Sequence, residues 1–433
     1  MTGPFSASLA GFATGPVQTT ADARLVACLS ALDWLAVGRA GAQEPVAAIL
    51  RDLALDEAGA GQAHVFGMDQ PVPVRMAALV NGTTSHALDY DDTHFAHIGH
   101  PSVAVFPAAL ATGELRDATL VDVIEAALVG MELSIRVGLW LGRDHYQTGF
   151  HQTATAGAFG AAAAAGRLAG LSPEAMRHAL GLTATRAAGL KAQFGTMGKP
   201  YNAGLAASAG IESVQLVRRG FVANPDAMES GGGFGATHHG QAQTDAALDG
   251  LGGTWLFETV SHKFHACCHG LHAALEAGRD LDIGAPEIAE MRVRTHPRWM
   301  SVCNQPAPDT GLGAKFSYAT VLAMQATGYD TARLDSYSDK ACADPRIRDL
   351  RSRITVTADD SLTETQAVLS VLRRDGARLE ASHDLDAPLS LDQREDRVRR
   401  KAGVLIGQER ADLAWGQLRG GGSAAGFASL LCR

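Results

Sequence analysis

TATAGAFGAAAAAGRLAGLSPEAMRHALGLTATRAAG, residues 153–189, is built almost wholly of helix formers. Alanine loses no side-chain entropy in a helix, and positions 161–165 are all alanine. Gly170 closes one helix, and Ser172-Pro173-Glu174 opens the next as an N-cap followed by proline at the first helical position. Apolar residues also recur at helical spacing on the N-terminal side, in ADARLVACLSALDWLAVGRAG (21–41) and VFPAALATGELRDATLVDVIEAALVGMELSIRVG (105–138). The block from about 21 to 219 therefore reads as stacked helices with short joints. Gly231-Gly232-Gly233 and the polar run to Gly253 mark a loop after it.

Beyond about Glu258 the texture changes. MRVRTHPR (291–298) and RITVTA (353–358) alternate as half-buried strands do, and AVLSVLRRDGARLEASH (367–383) reads as a hairpin turning at Asp375-Gly376. KFSYATVLAMQATG (315–328) is helical, and LDQREDRVRRKAGVLIGQERADLAWGQL (391–418) returns to helical spacing. The expectation is a mainly α protein: a helical domain from 1–257 and 392–433, with an inserted α+β domain at 258–391. A chain of 433 residues exceeds what one core organises, which agrees with a division.

Net charge is −9, with 37 basic and 46 acidic residues and no basic face, which argues against a nucleic-acid partner. Six cysteines stand at 28, 267, 268, 303, 342 and 432 without any C-x-x-C pair, which argues against a zinc ribbon or an iron–sulfur cluster. MTGPFSASLAGFATGPVQTT (1–20) lacks a basic n-region and no apolar run approaches a membrane span. The expected address is the cytoplasm, with no membrane partner.

Four polar clusters could carry chemistry. His86 to His100 packs three aspartates and four histidines into fifteen residues, with His86 and Asp89 at i, i+3. Carboxylates that hold a histidine set up a general base; the same residue types, His86, Asp89, Asp92, His94 and His97, could instead bind a divalent metal in a hydrolase. A solvated helix end with scattered histidines is the plain alternative. His145-Tyr146 to His151 precedes a helix expected to begin at Thr153 or Thr155, where free amides favour a carboxylate. Phe194 to Gly204 sets Lys199 among glycines in a turn ahead of an alanine-rich helix, without the order of a phosphate-binding GxxxxGK[ST] loop. His262 to His272 holds histidines and cysteines; on a helix 265, 268/269 and 272 align while 267 points away, a poor zinc spacing.

NGTTSHALDYDDTH (81–94) with GHPS (99–102), GFHQTATAG (149–157), GTMGKPYNAGLAASAGIESVQLVRRGF (195–221), KFHACCHGLHAALEA (263–277) and AKFSYATVLAMQATG (314–328) together resemble the MmgE/PrpD family, in order and in separation, from about residue 20 to the C-terminus. The resemblance implies a large helical domain carrying the site, a smaller inserted α+β lid, and a homodimer. It also implies action on a small di- or tricarboxylate without metal or organic cofactor, as in 2-methylcitrate dehydratases, cis-aconitate decarboxylases and iminodisuccinate epimerases.

Carried over by position, the site residues are Asp89, Thr93, His100, His151, Lys199 and Lys263, with Tyr146 added on the substrate-binding side. His100 and Lys199 would transfer protons, Asp89 would orient a cation or histidine, and His151 and Lys263 would hold carboxylates. Two departures bear on the substrate: Thr320 stands where family lyases carry a tyrosine, with Tyr318 two residues earlier, and His265 stands where the family has proline next to the lysine. Chain length is closer to the epimerase-like members. A metal-dependent hydrolase and a non-catalytic family member remain the alternatives.

Overall fold

A computed structural model describes residues 4–57, 59–281 and 284–432. Two compact units divide the chain: one runs to His262 and resumes at Glu395, the other is Lys263–Arg394. The breaks thus fall a few residues beyond the expected 257/258 and 391/392.

The first unit is helical. Its principal helices are α1 (Ala21–Gly41), α2 (Val74–His86), α3 (Pro101–Leu115), α4 (Leu120–Thr148), α5 (Gln152–Leu168), α6 (Pro173–Arg186) and α7 (Gly198–Val217). α5 is buried from Gln152 to Gly166, so the alanine-rich helix is the centre of the unit, packed by α3, α4 and α7. Small residues let it do so. α2 and α7 touch at Gly82 and Gly204, where a Cβ on Gly204 would fall 2.2 Å from the Leu79 carbonyl oxygen. Gly170 takes φ 70° and the Ser172 hydroxyl caps α6 through the Ala175 N–H, as the sequence implied. No single helix among the described residues is long and apolar enough to cross a membrane.

The second unit carries a four-stranded sheet. Its strands are β1 (Ile288–Thr295), β2 (Ile354–Ala358), β3 (Gln366–Arg373) and β4 (Arg378–Asp384), in the order β2-β1-β3-β4. β1 runs parallel to β2 and antiparallel to β3, with Val293 opposite both Val356 and Leu369. Helix α8 (His272–Leu281) covers β3 and β4, and α9 (Tyr318–Ala326) packs beside α8. In the β3–β4 hairpin only Gly376 takes a positive φ, 90°; Asp375 does not. Expected strand 291–298 ends at Thr295, because Pro297 starts a short helix capped by His296. The chain re-enters the first unit through α10 (Leu391–Ile406) and α11 (Gln408–Gly420).

Candidate active site

α2 stops at His86, earlier than an i, i+3 pairing of His86 with Asp89 requires. Asp89 adopts φ 51°, a left-handed turn conformation that aspartate tolerates, so it leaves the helix instead of sharing its face. A loop then runs to His100, which is extended (φ −113°) ahead of Pro101 at the start of α3. Paired backbone hydrogen bonds of 2.9 and 2.8 Å between Thr93 and Ser261 fasten the loop, and the Thr153 hydroxyl accepts from the His100 N–H at 3.1 Å.

This loop brings charges together inside the protein. Asp91, fully buried, takes His86 Nδ1 at 2.9 Å on one oxygen and stands 2.8 Å from His100 Nδ1 on the other, short in distance though off the line of an ideal hydrogen bond. Burial alone would raise its pKa, but the His86 and His100 imidazoles prevail and hold the carboxyl well below the usual range. Its neighbour Asp92 has no such partners. Burial pushes it up to about 7, against the short bond from the Ser102 hydroxyl and reinforced by Asp33 and Asp91. Two adjacent carboxyls thus differ in acidity because one faces imidazoles and the other faces a hydroxyl and further carboxyls.

Asp89 is half exposed and faces the other edge of His100. Its carboxylate lies 3.6 Å from His100 Nε2 and 2.6 Å from Lys199 Nζ. Lys199 is not in a free glycine turn; it sits in the first turn of α7, its ammonium 5.3 Å from the centre of the Phe194 ring. The Gly82–Gly204 contact packs α2 against α7, the helices that carry His86 and Lys199.

His151 is the N-cap of α5, which begins at Gln152, ahead of the expected Thr153 or Thr155. Its ring lies 6.0 Å from His86 and edge-on to Phe194 at 4.9 Å. Asn202 fixes its tautomer. The Asn202 amide N–H group donates to the Leu190 carbonyl at 3.3 Å, which sets the amide's orientation, and also stands 3.2 Å from His151 Nδ1. Nδ1 is then the acceptor and Nε2–H the free donor. Burial, together with the positive fields of His86, Lys199 and His100, lowers the pKa of His151 far below the imidazole range. A pKa lowered in this way favours the neutral ring, whose Nε2–H is a hydrogen-bond donor.

The remaining expected residues fall elsewhere. Thr93 is half-buried on the same loop. Tyr146 engages Lys191, whose ammonium lies 3.8 Å over its ring and bonds its carbonyl at 3.0 Å. Lys263 belongs to the second unit and is 2% exposed. There the 263–268 segment is not helical, so the expected alignment of 265, 268/269 and 272 does not form; His265 bonds Thr331 and Glu276. Tyr318 directs its hydroxyl to the Gly270 carbonyl at 2.6 Å and to Thr295, and Thr320 is bonded by Ser317.

The metal set His86, Asp89, Asp92, His94 and His97 is dispersed. His94 Nε2 meets the Leu256 carbonyl, His97 Nε2 meets the Ser134 hydroxyl, and burial lowers the two rings to about 4 and about 3. His86, Asp89, Asp91 and His100 do place one donor atom each within 4.8 Å of one another. Asp91 already serves two imidazoles and Asp89 an ammonium, so the charge a cation would neutralise is met by the protein itself.

The arrangement is a histidine with a buried carboxylate at one nitrogen and, at the other, an aspartate–lysine pair. The MmgE/PrpD N-terminal domain matches residues 8–247, which hold this whole constellation, and the C-terminal domain matches 265–414. The chain belongs to the MmgE/PrpD family. Among its MmgE/PrpD relatives, the cis-aconitate decarboxylase of Aspergillus terreus is 29% identical over 370 residues, 79% of this chain and 75% of that protein. The cis-aconitate decarboxylase-like protein oryM of Aspergillus oryzae is 27% identical over 418 residues (88% and 86%), and the mouse (Mus musculus) cis-aconitate decarboxylase 28% over 304 (66% and 61%).

Asp91 and Asn202 escaped the sequence reading. Each stands inside a cluster already singled out; Asp91 meets His86 and His100 within its own cluster, and Asn202 meets His151 from 51 residues away.

Proposed function

We propose that this protein is a lyase that decarboxylates a small unsaturated tricarboxylate of the cis-aconitate kind by acid–base catalysis, without a metal or organic cofactor. The observation that carries the reading is the His100–Asp89–Lys199 group, an imidazole and an ammonium brought to one carboxylate. The names of the relatives supply the substrate class.

Loss of carbon dioxide leaves its bonding electron pair on the carbon skeleton. In an unsaturated acid the pair shifts the double bond, and the far carbon, α to another carboxylate, takes a proton. That step needs a proton donor at the carbon and fixed positive charge for the remaining carboxylates. Lys199 and His100 fill the first role between them. The ammonium of Lys199 and the neutral Nε2–H of His151 meet carboxylate oxygens, and Lys263 is assigned to binding. The same pair could serve dehydration or epimerisation; the relatives' names favour decarboxylation.

The test is purified protein with cis-aconitate and a panel of succinate derivatives, following carbon dioxide by a coupled assay and products by NMR. Carbon dioxide release from cis-aconitate at a rate that survives chelator is expected. Turnover of the panel without carbon dioxide, or activity lost to chelator and restored by zinc, would contradict the reading.

A further inference from the structure

We propose that Asp91 is the positioning residue of the site: it keeps His100 and His86 both as Nδ1–H tautomers, so that His100 offers a bare Nε2 and the two imidazoles share one carboxylate. The catalytic meaning of the bare Nε2 rests on the proposed acid–base function; the tautomers and the sharing do not.

An ionised carboxylate only accepts hydrogen bonds, so an imidazole nitrogen against it carries the proton. Both Nδ1 atoms stand against Asp91, at 2.9 and 2.8 Å. His86 is 1% exposed and its Nε2 has no hydrogen-bond partner among the described residues, which suits an unprotonated nitrogen better than a stranded N–H. Its ring meets that of His100 edge-on at 4.5 Å. A proton added to either ring is balanced by Asp91; a second would face the first across that distance.

The other charges near His100 stand elsewhere. Asp89 lies 3.6 Å from Nε2, beyond hydrogen-bond reach, and is itself paired with Lys199 at 2.6 Å; His151 lies 6.0 Å from His86, and His97 and Asp92 belong to the same loop. Among the described residues, Asp91 is the carboxylate that stands against both rings. It follows that removing Asp91 and removing His86 must move the proton affinity of His100 in opposite directions. The first deletes the balancing charge; the second leaves that charge to His100 alone.

Substrate-free protein with 15N-labelled histidine tests this by long-range 1H–15N correlation across a pH series, His100 being assigned by its disappearance in His100→Gln. In the wild type, neutral His100 should show a protonated Nδ1 and an unprotonated Nε2. Asp91→Asn should lower the proton affinity of His100 by about tenfold or more, and His86→Asn should raise it. A wild-type His100 protonated at Nε2, an unchanged titration in Asp91→Asn, or a lowered one in His86→Asn overturns the proposal. The wild-type tautomer needs no variant, and circular dichroism verifies that each variant is folded. No substrate enters, so this result stands or falls apart from the decarboxylase reading.

Discussion

The protein's residue-scale chemistry lies in which atom of each side chain is left over once its neighbours have been served. His100 keeps Nε2 toward Asp89 and Lys199, and His151 keeps Nε2–H because Asn202 holds its Nδ1. Positioned acid–base groups contribute about 10²–10⁴-fold each. Steady-state kinetics of Lys199→Ala and His100→Ala should accordingly show kcat lowered by that order in a folded protein, whereas Lys263→Ala should mainly raise KM, as loss of binding shared by ground and transition states does. Asp92 gives a pH prediction. Its folded pKa, about 7, lies above the ordinary carboxyl value of 3.8, so its contribution to stability is complete below 3.8 and is lost as pH rises to about 7. Asp92→Asn should remove that loss: thermal melting at pH 5 and pH 8 should differ less in the variant than in the wild type. An equal difference would show that Asp92 is ionised throughout.

At the scale of elements, the site exists because two helix ends meet. Gly82 and Gly204 allow α2 and α7 to touch, and a Cβ at either would overlap backbone of the other. Gly204→Ala should cost about 1–3 kcal/mol in chemical denaturation, as overpacking does, and should lower activity by displacing Lys199 from Asp89. Helix centres, the β3–β4 hairpin and the break between units were legible in periodicity and capping residues. Helix ends were less so. The end of α2 at His86 depends on the left-handed turn at Asp89, and the start of α7 before Lys199 on a turn that side-chain pattern does not report. Site residues named through the family motifs, Asp89, His100, His151 and Lys199, do come together; Asp91 could not be told from its neighbours Asp89 and Asp92, because the path of the loop decides which carboxylate turns inward to the imidazoles, and Asn202 could not be singled out because its partner His151 is 51 residues away.

For the whole molecule, the family supplies the remaining expectation: we propose a homodimer. Sedimentation equilibrium should give about twice the 45.2 kDa chain mass, and a monomer at micromolar concentration would contradict it. The central claim is proton transfer to carbon next to a carboxylate, and deuterium tests it most directly. When the wild type acts on cis-aconitate in D2O, NMR and mass spectrometry of the product should find one deuterium bound to that carbon for each carbon dioxide released. A product carrying no carbon-bound deuterium, or no turnover of any polycarboxylate with no exchange, would contradict the account.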